Sequence, residues 1–148
     1  MEVVTLYGGP HSLFTGRARC YLIKADIPYR EQNLGSQHYR TNVLPKAGGR
    51  SGMPTIETAE GEVIRDGAAI IDRFEAETGH SFSPLTPKQR FISRLFDTIG
   101  AEGLLRPAMH YRWNFPEAND AFLKFHFEAL MPQRPDKVAW AEAARNAM

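Results

Sequence analysis

Cysteine is nearly missing from this sequence, with Cys20 the only one among 148 residues. That excludes an internal disulfide framework and a Cys-x-x-Cys redox pair, so any thiol chemistry has to come mainly from a ligand. Charge of one sign is also missing. The 18 basic residues nearly cancel the 17 acidic ones, and no run of Lys and Arg is long enough to grip nucleic acid or an anionic membrane. No apolar stretch approaches the roughly 20 residues that span a bilayer. The opening Met1-Glu2-Val3-Val4-Thr5 lacks the basic start of an export signal. These absences imply a cytoplasmic chain with neither membrane nor nucleic acid as partner. The histidines at 11, 38, 80, 110 and 126 have no metal-ligand spacing, and no glycine-rich phosphate loop follows a strand. Neither a metal nor a nucleotide is expected.

What remains is an ordinary globular composition, 43% apolar and 24% charged, sufficient to bury a core. Val3 to Tyr7 is a short apolar, β-branched run stopped by Gly8-Gly9-Pro10, which reads as a buried strand ending in a turn. Ser12 then caps a helix over about Leu13 to Ala25, closed by Asp26-Ile27-Pro28. Pro28 to Leu34 follows as a second strand, and strand, helix, strand implies a parallel pair with a right-handed crossover. Ser36 to Ala47 is weakly helical. Met53-Glu57 and Glu62-Arg65 flank Ala59-Glu60-Gly61 as an antiparallel hairpin, and Asp66-Gly67 opens a helix with an Ile70, Ile71, Phe74 stripe, terminated at Gly79. The segment 80–87, with two prolines and several small polar residues, has the composition of a linker. It divides an α/β unit, 1–79, from an all-helical unit, 88–148. The second unit reads as helices over Lys88 to about Leu105, Glu117 to Leu130 and Asp136 to Ala147.

Three separated pieces of the first unit, in order, resemble the N-terminal domain of glutathione transferases: Leu6-Tyr7-Gly8-Gly9-Pro10-His11-Ser12, Met53-Pro54-Thr55-Ile56, and Arg65-Asp66-Gly67-Ala68-Ala69. The resemblance implies a thioredoxin-like domain with a mixed four-stranded sheet, followed by a short all-helical domain of the transferase C-terminal type. Ser12-Leu13-Phe14-Thr15-Gly16-Arg17-Ala18-Arg19 looks like a subgroup of bacterial transferase-like proteins. Residues 88–148 are short for the family's helical domain, so the resemblance also implies a fragment or a shortened form. Gly67 stands where the family has a hydroxyl residue, which removes one contact to a γ-glutamyl carboxylate.

The implied ligand is glutathione as cosubstrate, and the implied partners are glutathione, a small electrophilic or hydrophobic substrate, and a second copy of the chain as homodimer. A free thiol with a pKa of about 8.5 is mostly protonated at neutral pH, so the site has to favour the thiolate. Ser12 is the candidate catalytic residue, as a hydroxyl donor to the sulfur at a helix N-terminus; a plain helix cap is an equal reading. Met53 and Pro54, joined by a cis bond, are expected to offer a main-chain edge to the cysteinyl unit; a proline starting an edge strand is the rival. Asp66 and Gly67 at a helix start are candidates for the γ-glutamyl end, against a simple Asp cap. Arg17 and Lys46 are candidates for the glycyl carboxylate or an acidic substrate, against ordinary solvated surface. Tyr7, a rival to Ser12 for the sulfur-facing role, is read in preference as a core tyrosine, Cys20 as a small core hydrophobe, and His110-Tyr111-Arg112-Trp113 as a helix end packing its aromatics inward in preference to a substrate-pocket wall. Two rivals to a conjugating enzyme stay open: a non-catalytic binding platform on the same fold, and an oxidoreductase acting through an accessible Cys20.

Overall fold

In the computed structural model, which describes residues 2–80, 82–131, 136 and 139, four short strands form one mixed sheet. The strands are β1 (Val4–Tyr7), β2 (Tyr29–Gln32), β3 (Thr55–Glu57) and β4 (Val63–Arg65), in the order β2-β1-β3-β4. β1 pairs parallel with β2, Val4 opposite Tyr29 and Tyr7 opposite Gln32. It pairs antiparallel with β3, Leu6 opposite Ile56, and β3 returns through the Gly61 turn to β4. The parallel pair needs a crossover, which α1 (Leu13–Lys24) supplies. The remaining helices are a π-helical turn, Tyr39–Val43, running into α2 (Leu44–Lys46), then α3 (Gly67–Glu77), α4 (Pro87–Thr98), a second π-helical turn, Ile99–Gly103, α5 (Leu105–Trp113) and α6 (Pro116–Leu130).

Alternation along β1 divides the first core in two. Val4 and Leu6 face α1 and α3, meeting Ala18, Tyr21, Leu22, Ile56, Ile70 and Phe74. Tyr7 faces the other way and joins Leu34, Tyr39 and Val43, with Met53 and Leu130 packed against them. Leu130 therefore brings the end of α6 onto the sheet domain. Gly35 makes room for it: a Cβ there would stand 2.5 Å from the Met131 carbonyl oxygen. A smaller cluster, Leu123 and Phe127 with Trp113 and Met131, joins α5 to α6.

The sequence expectations for the first unit correspond closely to these elements, and Gly79 takes the positive φ of 67° expected of a helix terminator. Two expectations need correction. The chain does not fall out of helix between Leu105 and Glu117: α5 occupies that stretch, because Pro107 stands in its first turn, where its missing N–H costs nothing. Cys20 is exposed instead of buried, since Ala18, Tyr21 and Leu22 already form the buried face of α1 and a residue two positions from 18 and 22 points away from it. The expected helix over Asp136 to Ala147 lies almost wholly outside the described residues. Among the described residues no helix is long and apolar enough to cross a membrane.

Candidate functional site

Ser12 sits where β1 has ended and α1 begins. Its extended backbone makes it the N-cap, and its Oγ accepts from the Thr15 N–H at 3.1 Å. A hydroxyl has one donor and two acceptor positions, so the cap uses only an acceptor and leaves the O–H proton free for a second partner. The cap and sulfur-donor roles of this 8% exposed side chain are thus compatible at the same time. Gly8 makes the tight approach possible. A Cβ on it would lie 2.2 Å from Thr15 Cγ2, inside any tolerable contact.

The Met53–Pro54 peptide is cis. Pro54 begins the turn into β3, and its carbonyl accepts from the Asp66 N–H at 3.2 Å, which draws the start of α3 to the same corner. Among the described residues neither the N–H nor the C=O of Met53 takes part in a main-chain hydrogen bond. Asp66 has φ of 77° and caps α3, its Oδ1 accepting from Ala68 N–H at 2.7 Å and Ala69 N–H at 3.4 Å. Gly67 is buried against α1. A Cβ there would meet Arg17 Cδ at 3.4 Å and the Phe14 carbonyl oxygen at 3.7 Å, ordinary contacts, so the position has room for a β-carbon.

The two candidate cations are employed differently. Arg17 donates through Nη2 to Asp97 of α4, while its Nε is buried without a partner among the described residues and lies 3.8 Å from the Gly67 Cβ position. It therefore stands beside Gly67 at the α3 N-terminus. Lys46 is exposed and donates to the Gly61 carbonyl at 2.8 Å, fastening α2 to the hairpin turn. A third cation, Arg65, stands beside Gly52, the residue before Met53. Arg65 Nη1 donates to the Ala47 carbonyl at 2.8 Å, and its Nη2 lies 3.0 Å from the Cβ position of Gly52.

Ser12 and Met53 open together on a cleft of about 530 Å³ between the sheet domain and α5–α6, walled by Leu105, Met109, Arg112, Trp113 and Phe127. The cluster His110-Tyr111-Arg112-Trp113 is accordingly split: Arg112 and Trp113 face the cleft, and His110 and Tyr111 are exposed. Arg112 Nη2 reaches across to the His11 carbonyl at 2.5 Å. His11 lines the cleft and a neighbouring cavity of about 320 Å³. Its ring lies 5.7 Å from Phe127 and 5.4 Å from His126; burial, with the charges of Arg112 and His126 adding, holds it below the usual imidazole range. Neither His11 nor Phe127 was singled out from the sequence, because only the return of α6 brings them together.

Tyr7 is a core residue, 1% exposed, donating to Glu57 Oε2 at 2.9 Å. Burial and that hydrogen bond raise its phenol well above the usual range, which makes it a poor source of a sulfur-directed phenolate. Among the described residues no three or more of His, Cys, Asp and Glu come together as a group that could hold a metal ion.

A βαβ crossover, a hairpin entered through a cis proline, and a helix opening at the same corner define a thioredoxin-like domain followed by helices. The family model of the glutathione S-transferase N-terminal domain matches residues 6–82. The chain belongs to that family. Solved structures agree on the fold. Glutaredoxin 2 from Salmonella typhimurium, solved with glutathione, superposes with a TM-score of 0.61 at 14% identity, over 99% of this chain and 60% of that one. A glutathione S-transferase from Methylobacterium radiotolerans, complexed with glutathione sulfonate, gives 0.60 at 11%, over 99% and 63%. Glutathione transferase Omega 3C from Trametes versicolor gives 0.55 at 18%, over 99% and 56%. The chain thus spans about three fifths of the length of these structures. No curated protein matches it in sequence.

Proposed function

We propose that this protein binds glutathione and transfers it to, or reduces with it, a small electrophilic substrate. The tripeptide lies with its cysteinyl unit along Met53–Pro54, its γ-glutamyl end at Asp66, Gly67 and Arg17, and its glycyl end toward Lys46 and Arg65. Its sulfur faces Ser12. The observation that carries this reading is that the free O–H of Ser12 and the unpaired main chain of Met53 open on one apolar cleft. The hydroxyl and the α1 N-terminus both favour negative charge on sulfur. In conjugation the thiolate forms a carbon–sulfur bond as the leaving group departs with its electron pair, and the thiol proton goes to solvent. The cleft holds the electrophile against that sulfur and excludes water.

Isothermal titration with glutathione tests the reading. Measurable binding, weakened by Asp66→Asn and with conjugation lost in Ser12→Asp, is the expected result; no binding up to millimolar concentration would instead favour a non-catalytic platform. That second reading has one observation behind it, the missing hydroxyl at Gly67. A cytoplasmic location and a homodimer complete the proposal.

A further inference from the structure

The arginines of this protein that line cavities are not treated alike. In the cavity of about 500 Å³ between α1, α3 and α4, Arg17 is paired with Asp97 and Arg94 with Asp72. Lys24, Arg90 and Glu75 line that cavity as well, so its cations stand among three carboxylates, Asp72, Glu75 and Asp97. Among the described residues no Asp or Glu lines the cleft beside Ser12, and Arg112 makes no ion pair.

Arg112 has five N–H donors in a planar fork. One is used on the His11 carbonyl at 2.5 Å, and Nη1 has only the Met109 sulfur, a weak acceptor at 3.9 Å. His11, held below the usual imidazole range, adds no second positive charge at neutral pH. Among the described residues the cleft therefore holds one net cation, half withdrawn from water, between Trp113, Phe127 and aliphatic side chains. A guanidinium so placed keeps part of its desolvation cost until an anion meets it. A carboxylate matches the fork geometrically, and aromatic walls suit a planar ring.

We propose that the electrophile this cleft accepts is an aromatic or similarly apolar molecule bearing a carboxylate, which pairs with Arg112 while its ring lies against Trp113 and Phe127. This rests on the reading above only in calling the ligand an electrophile; the anion site stands on the cleft alone. Two measurements keep them apart. In the first, the full chain without glutathione is titrated with naphthoate and with naphthamide, equal in shape and unequal in charge. Naphthoate is expected to bind roughly ten-fold more tightly, the scale of one charge-assisted pair. Arg112→Gln should abolish the difference by weakening naphthoate while naphthamide stays within about two-fold. Equal binding of the two ligands to the unaltered protein overturns the proposal, and needs no variant to fold.

In the second, glutathione is added and conjugation of chlorodinitrobenzoate is compared with that of chlorodinitrobenzene, each corrected for its uncatalysed rate. A higher kcat/KM for the benzoate, lost in Arg112→Gln, supports the substrate class. Equal corrected values with both conjugated would sink it while leaving the transferase reading intact. Preferential naphthoate binding with no glutathione binding would do the reverse.

Discussion

Ser12 illustrates how one small side chain can serve structure and chemistry together, and substitution can separate the two. Ser12→Ala removes the cap and is expected to cost about 1 kcal/mol of stability. Ser12→Asp retains a capping oxygen yet sets a negative charge against the sulfur. A near-normal Tm with conjugation lost is the expected result, and retained activity in Ser12→Asp would remove the sulfur-facing role. Gly67 offers a change in the opposite direction. Because its Cβ position has only ordinary contacts, Gly67→Ser should be accommodated and should tighten glutathione binding by about ten-fold or more, the worth of one hydrogen bond to a charged group. Titration of the two proteins side by side decides it. Gly8→Ala, by contrast, drives a methyl into the fully buried Thr15 and is expected to cost about 1 to 3 kcal/mol. Adding Thr15→Ala removes the two nearest atoms and should restore part of the loss in a denaturant titration.

At the scale of elements, the best-secured joint lies between α1, α3 and the segment leading to α4. Glu75, 3% exposed, accepts from the Tyr21 hydroxyl at 2.7 Å and the Ser83 hydroxyl at 2.5 Å. Burial alone would raise its carboxyl, but these donors, together with the Phe82 and Ser83 main-chain N–H groups, outweigh it and hold the group below the usual range. A carboxylate depressed in the folded state contributes stability above its unfolded value and loses it as pH falls through the folded one. The contribution is therefore present at neutral pH and lost in acid. Tyr21→Phe removes one donor and should cost about 1 to 3 kcal/mol at neutral pH, with the gap to the unaltered protein narrowing toward about pH 4. A gap independent of pH would show that Glu75 is not its source.

The same scale shows how much was legible beforehand. β1, α1, the hairpin and α3 announced themselves because each has a strong local signal: the Gly8-Gly9-Pro10 stop, the Ser12 cap, the Gly61 turn, the Asp66 cap. α5 did not, because Gly100, Gly103 and Pro107 all argue locally against helix. Ser12, Met53, Asp66 and Gly67 could be named from motif spacing. Arg65 and His11 could not, since their placement depends on where α2 ends and where α6 returns.

At the scale of the whole molecule, α4 buries none of its residues against the rest of the described chain; Phe91 and Phe96 are 69% and 68% exposed. Apolar surface of that kind favours association. Phe91→Glu combined with Phe96→Glu should convert the proposed homodimer to monomer in light scattering with the circular dichroism spectrum retained and Tm lowered by the lost association, whereas an unchanged mass would send the interface elsewhere.

α4 is nonetheless tethered to the sheet domain through Arg17–Asp97 and Arg94–Asp72, and the stretch before it by Glu75. The turn after it, Ile99–Gly103, has open space around Gly100. A bulky guest then has to part Arg112 from the His11 carbonyl and shift the α5–α6 pair about that turn, as a leaf tilts from its petiole. Amide hydrogen exchange should register it first at residues 99–103, ahead of anything in α4.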